Sequence, residues 1–452
     1  DGPVELRIGF SFVSEENARK NLEAEMLGRS FADVRSEATA VWNDLLGRIR
    51  VEGGTEREKG LFYSCLYRSF LWPALRSDVN GEYRRHDQTV ARMPEGESYY
   101  STFSLWDTFR AWNPLQTMVD TALVNDMIRS MLDMYDSTGE LPIWPLASGE
   151  TGTMIGYHAV SVIADAYLKG IRGYDADKAL EAMIRSSNIN KKGSDYYTAQ
   201  GYIPSNIKRE SVSCTLEYAY DDWAIARMAQ AMGRDDVFGE YARRALNYVN
   251  VFDGSTCFFR GRQSDGNWSA PFEEFATGRD YTEATPWHYR FFVPHDVEGL
   301  AKLMGGRRKF VDKLQMVFDE GLYDPANEPD IAYPYLFSYF RGEEWRTQRE
   351  VRRLLDRYFT TAPDGIPGND DTGTMSAWAV FSMMGLYPDC PGEPYYTLTS
   401  PVFDKVTVTL DPKYYPAGEL VIETKRPDSG AVYIRSMTLG GKPLKRYRIG
   451  HD

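Results

Sequence analysis

Residues 365–373, Gly-Ile-Pro-Gly-Asn-Asp-Asp-Thr-Gly, set Asn369, Asp370 and Asp371 on one Pro-Gly turn directly ahead of an apolar helical run. Adjacent carboxylates repel, so such a turn is unfavourable unless a counter-charge sits nearby. Clustered Asp and Asn oxygens suit a hard cation such as calcium, which takes about 6–8 oxygen ligands. A bound cation would offset the repulsion and keep both carboxylates ionised at neutral pH. Four other stretches mix acidic residues with Trp, Gly and Pro: TFSLWDTFR (102–110), LPIWPLASGETGTMIGYH (141–158), YTEATPWHYRFFVPHDVEGL (281–300) and ANEPDIAYPYLF (326–337). Carboxylates flanked by aromatic residues are what glycoside cleavage needs. One carboxylic acid protonates the leaving oxygen, while a carboxylate activates water or attacks the anomeric carbon.

Each of these residues also has a plainer role open to it. Asp107, Asp296 and Asp371 each precede an apolar run and could simply cap a helix. His158 and His295 could satisfy local hydrogen bonds. With five His and no H-x-x-x-H pair, zinc is disfavoured. Glu217, Asp221 and Asp222 in LEYAYDDW fall on one helical face at i and i+4, either a solvated face or a wall of an acidic cleft.

The elements that must position these loops are mostly helical. From about residue 56 to 387, apolar residues recur at helical spacing, as in Val124, Met127, Met131 and Met134, which stop near Gly139. Further runs cover about 160–170, 214–232, 240–251, 297–304, 346–359 and 375–384, separated by long polar, aromatic-rich connectors. This pattern predicts a helical toroid whose loops build a site at one end. Residues 402–410, 419–423 and 432–439 read as strands, with Gly440-Gly441 as a hairpin turn, and the alternating stretch 4–12 is their expected partner.

The net charge of −13 disfavours nucleic acid as a partner. No apolar run reaches the roughly 20 residues of a membrane helix, and the opening Asp-Gly-Pro shows no signal peptide. Cys65, Cys214, Cys257 and Cys390 are scattered, so buried free thiols are expected.

The motifs together resemble the calcium-dependent α-mannosidases of glycoside hydrolase family 92. The resemblance runs from IGFSFVSEENARKNLEAE (8–25) through YYSTFSLWDTFRAWNPL, MIGYHAVSVIADAYLKGI, ESVSCTLEYAYDDW, FFVPHDVEGL, NEPDIAYPYLF and GIPGNDDTGTMSAW to SPVFDKV (400–406). It implies a mainly α fold, an (α/α)6 toroid with a small β region formed by the two ends of the chain. Residues 1–13 would be the last strand of an N-terminal β-sandwich, 14–55 a helical linker, 56–398 the catalytic toroid and 399–452 a C-terminal β region. Most of the sandwich would then lie outside this sequence and be a structural partner of it.

Residue by residue, the resemblance implies Glu283 as general acid and Asp371 as general base, with Asp370 beside it helping to hold the water or the ion. Calcium would be bound by Asn327 and Glu328 with Asp370 or Asp371. Trp106, Asp107 and Glu150 would line the mannose subsite, with Trp287, Tyr323 and Asp324 as further substrate-binding residues. His158 and His295 would support it. Trp287, with Tyr281, would give Glu283 an apolar cover that keeps its proton. Ala284-Thr285 after Glu283, Ser148-Gly149 before Glu150, and Tyr323-Asp324 ahead of Asn327 depart from the family pattern, which puts the leaving-group subsite in question. The expected activity is that of an exo-acting, inverting α-mannosidase on mannose-containing glycans, exported from a bacterium. The alternative is a catalytically silent mannose-binding protein on the same scaffold, against which the intact Glu283 and Asp371 argue.

Overall fold

The structure is a computed structural model that describes residues 4–428 and 430–451. Its centre is a ring of helices in two layers. Outer members are Glu56–Arg68, Thr121–Thr138, Ala176–Ser187, Asp235–Arg244, Arg307–Asp319 and Glu344–Tyr358. Each is apolar along one face only, as in Glu344–Tyr358, where Val351, Leu354 and Leu355 are buried beneath a charged surface. Each is followed by an inner element: Trp112–Val119, Ala159–Leu168, Ser211–Ala231, the segment ending in Val297–Leu303, the 3-10 helix Tyr333–Tyr339, and Thr374–Met384.

Two of the inner elements are covered on all faces. Every residue of Trp112–Val119 and of Thr374–Met384 is buried. Inner elements pack in sequence around the ring, Trp112–Val119 against both Ala159–Leu168 and Thr374–Met384, and Ser211–Ala231 against Ala159–Leu168. The contact between Thr374–Met384 and Trp112–Val119 closes the ring, and the fifth inner element joins the sixth where Tyr335 stacks on Tyr387 and its hydroxyl meets Ser382 Oγ at 2.5 Å. This is the (α/α)6 toroid expected. Side-chain caps mark several outer helix starts: Thr55 and Glu58 form a capping box, and Asp120 and Asp175 each accept a first-turn N–H.

The β region differs from expectation. Lys405–Thr409 is the middle strand of an antiparallel sheet with Glu419–Glu423 on one edge and Ile49–Glu52 on the other, in the register Ile49↔Val408 and Val51↔Val406. The partner of the tail is therefore a strand inside the stretch expected to be a helical linker, after the helices Glu15–Met26 and Phe31–Gly47. The strand that joins the tail sheet is Ile49–Glu52, and residues 4–13 form no strand. Side chains fasten them instead. Arg84 donates to the carbonyls of Phe12 and Val13, and the Arg76 guanidinium lies over the Phe12 ring at 3.3 Å. The expected strand 432–439 shortens to Met437–Leu439, paired with Lys442–Leu444 across Gly440-Gly441, both at positive φ as a tight hairpin turn requires. Cys65, Cys214 and Cys390 are buried free thiols; Cys257 is only half-buried.

Candidate functional site

The expected site residues lie in the segments that lead into the inner elements: Asp107 on the short helix Leu105–Thr108 before Trp112, Glu150 and His158 before Ala159, Glu283 ahead of Val297–Leu303, Glu328 before Tyr333 and Asp371 before Thr374. All inner elements therefore present their N-termini, with partial positive charge, to the same end of the ring, where carboxylates are favoured.

Two loops meet at that end. Gly368, at φ +61°, presses against Ala326: a Cβ built there would fall 2.6 Å from the Ala326 Cβ. Asp371 and Thr372 follow with φ of 45° and 53°, then Gly373 at +95° against the Trp112 ring. A left-handed pair of non-glycine residues costs about 1–3 kcal/mol each and is held only by its surroundings. That turn separates the two aspartates. Asp370 Oδ1 accepts from the Ser376 N–H at 2.9 Å and its hydroxyl at 2.7 Å, so its side chain caps the helix Thr374–Met384. Asp371 points elsewhere, and one oxygen each of Asp107, Glu328 and Asp371 gather within 4.8 Å of one another.

Three carboxylates this close, two of them buried, are unstable as anions. Burial first, then mutual repulsion, pushes Glu328 well above the usual carboxylate range. Burial likewise raises Asp107, with Asp371 adding to it and Arg110 opposing. The Glu328 Oε1 and the adjoining Asn327 Oδ1 are buried without a hydrogen-bond partner. Orphaned hard oxygens beside a carboxylate cluster fit a divalent cation, which would offset the repulsion that Arg110 alone does not. Asp107 thus stands in the carboxylate cluster, Asp370 is drawn away to its helix cap, and Asn369 is exposed.

The Asn327 amide donates to the Glu283 carbonyl at 3.0 Å and lies 3.0 Å from His288 Nδ1, which ties the Glu283 loop to the cluster. Glu283 itself has φ 50° and an exposed side chain. The expected apolar cover is absent. Trp287 is buried against Phe258 and Phe275, and the Tyr281 hydroxyl donates to the Phe259 carbonyl.

Several other expected substrate contacts are engaged by the chain itself. Trp106 is 1 % exposed and its indole donates to Glu217 at 3.1 Å, so it is a support under the cluster and no open wall. Tyr323 packs on Phe318, and Asp324 turns its own loop by accepting from Ala326 N. The Glu150 carboxylate is taken up by the backbone N–H groups of Ile143, Trp144 and Gly152. It orders a loop whose Trp144 indole donates to Ser104 Oγ, and Ser104 in turn bonds Asp107. The Trp144–Ser104 link went unread in the sequence, though both residues stand in the aromatic-rich stretches that mark the site.

Glu217, Asp221 and Asp222 are neither a solvated face nor a cleft wall: all three are fully buried. Glu217 pairs with Arg110 at 3.1 Å, Asp222 with Arg244 at 2.9 Å, and Asp221 with His158 Nδ1 at 2.8 Å. Leaving one such charge without its partner would cost about 3–5 kcal/mol, which accounts for the completeness of the pairing. Burial alone would drive the His158 pKa down, but Asp221 and Glu217 together raise it to about 9. The raised value favours the protonated ring, which stacks on Phe109 with its Nε2 3.3 Å from Glu217 but not aligned for a hydrogen bond. Burial takes His295 the other way, to about 4, and its Nε2–H donates to the Ala245 carbonyl.

Residues 17–452 match the model of the glycosyl hydrolase family 92 catalytic domain. A family GH92 α-mannosidase from Bacteroides thetaiotaomicron superposes with a TM-score of 0.93 at 35% identity, over 98% of this chain and 59% of its own. A family GH92 inverting mannosidase from Bacteroides thetaiotaomicron VPI-5482 gives a TM-score of 0.90 at 34% identity, over 98% of this chain and 64% of its own. A protein of Arthroderma benhamiae described as an uncharacterized secreted glycosidase is 29% identical over 100% of this chain and 60% of its own length. The chain thus spans about three fifths of the length of these relatives.

Proposed function

The chain belongs to glycosyl hydrolase family 92, and from that premise we propose that it is an exo-acting, calcium-dependent α-mannosidase that works with inversion. The observation that carries this reading is the carboxylate cluster of Asp107, Glu328 and Asp371 with the orphaned oxygens of Asn327 and Glu328 beside it. These residues would hold calcium, which supplies concentrated positive charge for vicinal hydroxyls of the terminal mannose. Asp371 is half-buried and open to solvent on one side; as general base it takes a proton from the water that attacks the anomeric carbon. Glu283 gives its proton to the glycosidic oxygen as the carbon–oxygen bond breaks. Since Glu283 is exposed in the free chain, the leaving sugar would supply the cover that its neighbours do not. Asp370 acts through position, fixing the turn that aims Asp371.

The greater length of the relatives and the exposed Val4, Leu6 and Phe10 support a β-sandwich packed at this end of the chain as part of the working enzyme. No helix among the described residues is long and apolar enough to cross a membrane. We propose export to the periplasm or cell exterior, in keeping with the secreted relative. An aryl α-mannoside with a chromogenic leaving group tests the activity: hydrolysis should cease in excess EGTA and return with calcium. Full activity in EGTA contradicts the calcium role, and binding without hydrolysis in calcium favours the silent glycan-binding alternative.

A further inference from the structure

On the outer helix Glu344–Tyr358, Arg349, Arg353 and Arg357 follow one another at i, i+4 and i+8, with Arg352 alongside. Like charges at this spacing destabilise a helix. They line a groove of about 600 Å³ together with Asp356 and Tyr433. Asp356 is the acidic group that lines it, and Glu350, buried behind the groove, is bonded to both Arg349 and Arg353, so four guanidiniums stand against two carboxylates. Arg357 has no carboxylate partner among the described residues. In a chain of net charge −13 this is a local reversal of sign.

Aromatic rings stand at the groove's edge. Tyr433 is 59% exposed and Trp345 38%, their centroids 6.4 Å apart. Trp345 is flanked by the Arg346 and Arg349 guanidiniums, each 4.8 Å from its ring. The tail segment bearing Tyr433 is fixed to the helix by the Ile434 N–H donating to Gln348 Oε1 at 2.8 Å. Planar guanidinium forks match oxyanions of esters, and exposed rings offer faces for sugars.

We propose that this groove binds an acidic polysaccharide, one bearing sulfate or phosphate esters, apart from the carboxylate cluster. The C-terminal end of the helix leads into the loop that carries Asp371, so a chain lying along the arginines would run toward the end of the ring where the cluster sits. The oxyanion part of the inference stands on the groove alone. The polysaccharide part rests on the proposed function.

Affinity electrophoresis of the 452-residue chain in gels containing dextran sulfate or neutral dextran tests this. Retardation is expected with dextran sulfate only. Arg353→Gln with Arg357→Gln should raise the apparent Kd at least about tenfold, and Tyr433→Ala about threefold. Arg308→Gln, on the exposed outer helix Arg307–Asp319, should change nothing. Arg357→Gln alone, which breaks no ion pair, should still weaken retention if the double variant fails to fold. Equal retardation by neutral dextran, unchanged retention in the arginine variants, or equally tight binding of duplex DNA that ignores Tyr433→Ala would each overturn the proposal. Groove variants should hydrolyse the aryl mannoside as the parent does, so loss of retention and loss of the proposed activity are separate results.

Discussion

At the scale of single residues, the division of labour between Glu283 and Asp371 has a kinetic signature. An activated aryl leaving group needs little protonation, whereas every substrate needs the attacking water. Glu283→Gln should therefore lower kcat/KM on a manno-disaccharide by about 10²–10⁴ and far less on the aryl substrate, while Asp371→Asn lowers both alike. Equal losses on both substrates in both variants would reject these roles. His158 carries a second prediction. Its pKa rises from the ordinary 6.5 to about 9 on folding, so the folded chain binds the extra proton. That stabilisation is complete below about pH 6.5 and lost as pH climbs through 9. Urea unfolding between pH 7 and 9.5 should show stability falling, and a His158→Asn variant should start lower and lose this part of the slope. Part of this scale could be read in the sequence: the stretches holding Asp107, Glu328 and Asp371 stand out by composition. Which of Asp370 and Asp371 faces the cluster could not, because the choice rests on two positive φ values and a cap to Ser376.

At the scale of elements, the turn Asp371–Thr372–Gly373 is the joint on which the site depends. A Cβ at residue 373 would fall 2.7 Å from the Trp112 ring, at a φ that L side chains rarely adopt. Gly373→Ala should cost about 1–3 kcal/mol in urea unfolding and reduce kcat by shifting Asp371; an unchanged kcat would mean that the turn does not aim the base. Helices were legible where one face is apolar, as in Thr121–Thr138, and the all-apolar Thr374–Met384 signals its covered position in the ring. The buried LEYAYDDW carboxylates misled because charge reads as surface, whereas Arg110, Arg244 and His158 pair them from elsewhere in the chain. Residues 4–12 misled differently: alternation shows that a segment can be extended but names no pairing partner, and the strand that joins the tail sheet is Ile49–Glu52.

For the whole molecule, carboxylates from three separate loops converge only once the ring is closed, so cation binding and ring stability should be linked. Calcium at about 100 times its Kd should stabilise the folded chain by ~2.7 kcal/mol, and Glu328→Gln should remove most of that gain in a thermal or urea titration. Equal stabilisation of the variant would place the cation elsewhere. The central claim joins this cluster to an inverting hydrolysis, and one measurement meets it directly: proton NMR of the first sugar released from an α-mannoside in calcium buffer. β-Mannose should appear first and convert to the α anomer only by slow mutarotation, whereas α-mannose as the initial product, or no mannose at all, would contradict the account.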